Sequence, residues 1–187
     1  MSSQFDAFKT RAEAVSAEVH RFDGKEEALS FVLGFLKEAG VSEAPQCGAI
    51  WAAGTFLDEF EKEGLSAKVP GLIFEVTKEG SADSRVGISQ VDWAIAGTGT
   101  LVQDATGVEK RLVSTLPPIH LALIGADRIL EDMGGVLERL RPDQLNYISF
   151  ITGPSRTADI ERVLTIGVHG PERLIIVVVD QFEEVTA

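Results

Sequence analysis

The sequence predicts an α/β fold, a single domain over residues 1–187 with a mostly parallel sheet flanked by helices. Strand-like segments alternate with helix-like ones along the whole chain, the order that builds a parallel sheet. Leu174 to Val179, LIIVVV, is a continuous apolar run bounded by Arg173 and Asp180. Such a run suits a central parallel strand covered on both faces. No repeat, low-complexity tract or linker rich in Gly, Ser or Pro divides the chain, and its length is enough for a sizeable core.

The N-terminal elements follow from apolar spacing. Phe5, Phe8, Ala12 and Val15 mark an amphipathic helix. Val19 to Phe22 reads as a short strand. Asp23 then stands as an N-cap, with Glu26 where a capping box places its acid. Leu29, Val32, Leu33 and Leu36 give a second helix its apolar face, and Gly40 stops it. These N-terminal helices, within residues 1–40, are expected to pack on the α/β core. Cys47 to Ala53 reads as a buried strand, followed by a helical pattern through Phe56, Leu57 and Phe60. Glu59, Glu61, Lys62 and Glu63 form the solvated face of that pattern.

Leu72 to Val76 and Val86 to Ser89 are two further extended segments, joined by a loop over Lys78 to Ser84. Val91 to Val102, VDWAIAGTGTLV, sets two glycines and two threonines among apolar residues, so the backbone there turns at the edge of a pocket. A dinucleotide fingerprint is excluded, because Val102 stands where its third glycine belongs. In STLPPIHLALI two prolines precede a strand that begins only after them, with His120 near its start. A histidine there serves packing or catalysis, and catalysis needs a partner that tunes its pKa. Gly125, Ala126 and Asp127 end the strand. Met133 to Leu140 is a helix stopped before Pro142.

Composition narrows the function classes. Hydrophobic residues make up 44% and charged ones 25%, as in ordinary globular proteins. The 29 acids against 17 bases repel a phosphate backbone, which argues against nucleic-acid partners. The N-terminal residues lack the apolar core of a signal peptide, and no apolar run approaches the ~18 residues of a membrane span. A cytoplasmic location is the expectation. Cys47 is the sole cysteine, and His20, His120 and His169 are scattered, so no metal or iron–sulfur cluster is expected on this chain. A buried thiol in a strand reads as packing.

The most informative stretch is Ser149 to Pro171, SFITGPSRTADIERVLTIGVHGP. An apolar strand from Tyr147 to Ile151 ends in Thr152, Gly153 and Pro154, then in Ser155, Arg156, Thr157 and Asp159, before a short helical pattern and Gly167, His169 and Gly170. Strand, tight turn, hydroxyls and helix start is an order that presents backbone N–H groups to an anion. Between Leu145 and Arg173, Asp159, Glu161 and Glu172 balance Arg156, Arg162 and Arg173, so this part is neutral in a chain of net charge -12. A capped helix after a strand explains the same residues without a ligand. Both GTGT and GPSRTAD are expected to face one pocket at the carboxyl edge of the sheet, where α/β folds collect their sites.

Taken in order, VDWAIAGTGTLV, STLPPIH, SFITGPSRTADIE and GVHGP resemble the lactate-utilisation protein C family, or LUD domain, from about Val86 to Asp180. The resemblance implies the architecture of glucosamine-6-phosphate deaminase, ribose-5-phosphate isomerase and the coenzyme A transferases. It further implies an accessory subunit of an iron–sulfur L-lactate oxidising system, the clusters lying on cysteine-rich partner subunits. Asp92, Thr98, Thr100, His120, Ser155, Arg156, Thr157, Asp159 and His169 match the family pattern; all of these but Asp92, with Gly99 and Gly153, form the candidate binding set for a small anion or cofactor. Gly97 stands where the resemblance leads one to expect an acid, so any activity that depends on that acid is altered or absent. The alternative is a free-standing enzyme on the same scaffold, acting on a phosphosugar, a coenzyme A ester or a folate. It draws on LIGADRIL, similar to a segment of the methylthioribose-1-phosphate isomerase group, with Asp127 as acid–base residue.

Overall fold

The computed structural model describes residues 2–156 and 169–182. Six parallel strands form the main sheet. In chain order they are β1 (Ala17–Gly24), β2 (Gly48–Trp51), β3 (Leu72–Ile73), β4 (Ser84–Gln90), β7 (Ile119–Gly125) and β10 (Arg173–Gln181), arranged β1-β10-β7-β4-β2-β3. A second sheet, ordered β8-β5-β6-β9, contains β5 (Trp93–Ile95), β6 (Thr100–Asp104), β8 (Ile129–Leu130) and β9 (Ile148–Ile151). The helices are α1 (Ser2–Ala14), α2 (Lys25–Glu38), α3 (Lys62–Lys68), α4 (Lys78–Asp83), α5 (Val108–Thr115) and α6 (Met133–Leu140).

Strand β10 shows why its sequence is apolar without alternation. Ile175, Val177 and Val179 face a core built with α2 and Phe56, whereas Leu174, Ile176 and Val178 face a core shared with Phe5 and Phe8 of α1 and Leu101 of β6. One strand feeds two cores, so both of its faces are hydrophobic. The second sheet repeats this on a smaller scale. Ala94, Leu101 and Ile151 turn toward the main sheet, while Trp93, Ile95, Val102 and Ile148 pack with Val136 of α6 on the far side.

The expected parallel α/β fold is therefore present, with a mixed sheet built around the antiparallel β5–β6 hairpin added to one face. Several local expectations change. The second helix starts one residue later than the capping box implied: Gly24 is its N-cap, without a side-chain hydrogen bond, because β1 runs through Asp23. Residues 78–83 are helical rather than looped, with the Thr77 hydroxyl accepting from the Gly80 N–H at 3.0 Å. The pattern at Phe56 is a short 3-10 turn, Thr55–Glu59. Helix α5 lacks an apolar run that announces it, since only its Val113 and Ser114 are buried. It lies so close to β4 that a Cβ on Gly87 would come 1.9 Å from the Val113 carbonyl oxygen. Among the described residues no helix is long and apolar enough to cross a membrane.

Candidate functional site

The GTGT segment is the turn of the β5–β6 hairpin. Gly99 adopts φ +66°, and its missing side chain lets the turn close onto the end of α1, where a Cβ would fall 2.3 Å from the Ala12 nitrogen. Gly153 does the same after β9: with φ +74°, its Cβ would meet the Val15 carbonyl oxygen at 2.3 Å. Both glycine turns thus grip one object, the α1–β1 connection. That shared seat aligns their hydroxyls. Thr98 Oγ1 donates to Thr100 Oγ1 at 2.8 Å, and Thr100 Oγ1 lies 2.9 Å from Thr152 Oγ1. Arg156 reaches the same α1–β1 connection, its Nη2 donating to Ser16 Oγ at 2.9 Å.

The other blocks join the same region through the backbone. The Ser155 N–H donates to the Pro171 carbonyl at 2.8 Å, and the Glu172 N–H donates to the Pro118 carbonyl at 2.7 Å. GTGT, TGPSR, HGP and LPPIH are therefore linked in a continuous series of contacts. Gly170 packs against Ser155, and His169 beside it is exposed. Thr157 and Asp159 lie outside the described residues.

The expected location is corrected by this geometry. Ser16, Val15 and Pro171 adjoin the starts of β1 and β10, so the cluster sits toward the amino edge of the parallel sheet. The reason is topological: GTGT turns an antiparallel hairpin of the second sheet rather than following a parallel strand. Of three cavities of about 660, 520 and 360 Å³, none is lined by Thr98, Thr100, Thr152 or Arg156, whereas the one of 520 Å³ is lined by Pro118, Ile119, Glu172 and Arg173 beside the LPPIH and HGP blocks. Thr98, Thr152 and Arg156 are exposed, and Thr100 between the two threonines is buried.

His120 is not part of that surface. It is fully buried between the sheets, where its Nε2 lies 2.9 Å from Ser89 Oγ, and that hydroxyl lies 3.0 Å from Gln103 Oε1. Burial alone pushes its pKa down to about 4. A serine beside a histidine suggests a nucleophile and its base. Here both are 0% exposed and Nδ1 has no orienting partner among the described residues, so the pair cannot meet a substrate in this form. Asp92 also has structural work: its carboxylate accepts from the Asp104 N–H at 2.7 Å and pairs with Lys110 at 3.1 Å, pinning the hairpin. Gly97 is exposed beside the Glu131 carbonyl.

Ser16, Ser89, Gln103 and Thr152 escape the sequence reading. Ser89 and Gln103 are buried polar residues, but their strands, SRVGISQ and TLVQD, hold several other polar residues, so nothing in the sequence singles them out. Ser16 carries φ 71°, uncommon for a residue with a side chain, and no sequence pattern marks it.

Comparison with known proteins gives the following. Residues 5–179 match the family model described as the LUD domain. The chain is similar to Lactate utilization protein C of Exiguobacterium, 37% identical over 111 residues, which is 56% of this chain and 48% of that protein. It is similar to the protein of the same name from Anoxybacillus flavithermus, 30% identical over 131 residues, covering 65% and 60%. The matched part spans about half the length of such relatives. A DUF162 family protein from Deinococcus radiodurans has a similar fold, with TM-score 0.65, 17% identity, and 95% and 97% of the two chains covered.

Proposed function

The chain belongs to the LUD domain family, and on that footing we propose that it is a cytoplasmic accessory subunit of a lactate-oxidising system, carrying a small-anion site while partner subunits carry iron–sulfur clusters. The observation behind this reading is the joining of its four sequence blocks at one surface of hydroxyls with one guanidinium. The relatives named for lactate utilisation supply the pathway.

An iron–sulfur cluster does not fit the donors of this chain. Cys47 is its sole cysteine, with Arg85 Nη2 donating to the sulfur at 3.4 Å. Among the described residues no three His, Cys, Asp or Glu side chains gather into a metal site. No electron-transfer step is therefore assigned to it. Its contribution is binding: Thr98, Thr100 and Thr152 offer hydroxyls, and Arg156 a planar cation suited to a carboxylate or phosphate. A free-standing enzyme is the second reading, favoured by Asp127. This residue follows β7 at the carboxyl edge, its side chain 60% exposed beside Arg128 at 3.3 Å.

Calorimetric titration with lactate, phosphate and coenzyme A tests the anion site. Arg156→Lys should keep the melting temperature and lose roughly 1.5–3 kcal/mol of affinity for the anion that binds, the range of a charged hydrogen bond. Equal affinities in the two proteins, or no binding by the parent, would remove Arg156 from any site.

A further inference from the structure

Arg85 stands near the start of β4, half-buried, and its guanidinium is held in place without a carboxylate. Nη1 donates to the Ala39 carbonyl at the end of α2 at 3.1 Å, and Nη2 donates to Cys47 Sγ at 3.4 Å. The first contact suits a cation at a helix C-terminus. Among the described residues Arg85 forms no ion pair with Asp or Glu, and its other N–H groups have no protein acceptor. Two fixed contacts thus set the plane of the group and leave donors to spare. A guanidinium so prepared takes a carboxylate through two parallel hydrogen bonds.

Arg85 lines the cavity of about 520 Å³ at the amino edge of the main sheet, between the starts of β2, β4, β7 and β10. A volume of this order suits a small molecule. Pro45, Ala82, Pro118 and Ile119 give the cavity an apolar wall. The charges on the lining select the ligand. Arg173 lines the cavity too, but its Nε and Nη2 donate to the two Glu18 oxygens at 2.9 and 3.0 Å, so its charge is matched. Glu172 is exposed to water, which screens it, and it forms no ion pair with Arg85. Arg85 is left as the unmatched cation of the lining. One negative charge balances it, whereas a phosphate dianion brings more than the lining can match. We propose that this cavity binds an organic monocarboxylate, with the carboxylate on Arg85 and the apolar body against Pro118 and Ile119. The site does not depend on the cluster of Thr98, Thr100, Thr152 and Arg156, none of which lines the cavity.

Cys47 is the sole cysteine and lines the same cavity, so its alkylation by the neutral reagent N-ethylmaleimide reports occupancy. Propionate should slow alkylation of the parent protein in a saturable way, and phosphate at matched ionic strength should not. Arg85→Lys should bind propionate at least about tenfold more weakly, the scale of a lost charged hydrogen bond. Arg156→Lys should leave the propionate affinity unchanged. The proposal is overturned by no saturable protection of the parent, by equal protection from phosphate, by undiminished affinity in folded Arg85→Lys, or by an equal loss in Arg156→Lys. If Arg85→Lys does not fold, a crystal of the parent soaked in propionate decides. A carboxylate within hydrogen-bond distance of the Arg85 guanidinium is expected there, and solvent alone contradicts the site.

Discussion

Burial between two sheets keeps the His120 imidazole neutral, with a pKa of about 4 against the ordinary 6.5, and that difference ties stability to pH. Between pH 6.5 and about 4 the unfolded chain takes up a proton that the folded chain refuses. Stability is thus fully present above 6.5 and falls as the pH drops toward 4, after which both states are protonated and the loss stops. The gap corresponds to a loss on the order of 3 kcal/mol from this one group. Urea unfolding of the parent and of His120→Gln across this window should differ in slope, the parent losing more stability. Parallel curves would show that His120 is not buried neutral. The sequence placed His120 near the start of its strand, which β7 bears out. Its surroundings were hidden, because Ser89 and Gln103 come from strands that only the fold brings together.

The hairpin turn and the turn after β9 are held by backbone fit against α1, and glycine substitutions separate that fit from simple turn propensity. Gly99→Ala meets both a left-handed φ of +66° and an Ala12 nitrogen 2.3 Å from the new Cβ. The strained backbone alone costs about 1 kcal/mol, and displacing α1 adds to it, so a loss of ~3 kcal/mol or failure to fold is expected. Gly97→Ala, two residues away, has no positive φ, and its Cβ would lie 3.2 Å from the Glu131 carbonyl oxygen. It should cost under about 1 kcal/mol. Chemical denaturation of the two variants checks the pair, and equal losses would mean that the turn does not bear on α1. Strands β1, β2, β3, β4, β7, β9 and β10 and helices α1, α2 and α6 were readable from periodicity and flanking breakers. The grouping of β9 with β5, β6 and β8 in a second sheet was not, since an antiparallel hairpin and a parallel crossover give the same short apolar runs in sequence. Helix α5 escaped for a related reason: it buries too few apolar residues to show a period.

Across the whole molecule, the blocks at 98–100, 118–120, 152–156 and 170–172 are distant in sequence and are joined at the amino edge of the main sheet and the second sheet beside it. The blocks were visible as motifs in the sequence, but their position at the amino edge was not. The carboxyl-edge rule applies to turns that follow parallel strands, and two of these turns follow antiparallel ones. The most direct test is lactate-dependent dye reduction by iron–sulfur partner subunits purified from native cells on this chain as bait. The chain alone should reduce no dye, the partners alone should be impaired, and adding the chain back should restore the rate. Lactate-dependent turnover by the isolated chain, or full activity of the partners without it, would contradict the account.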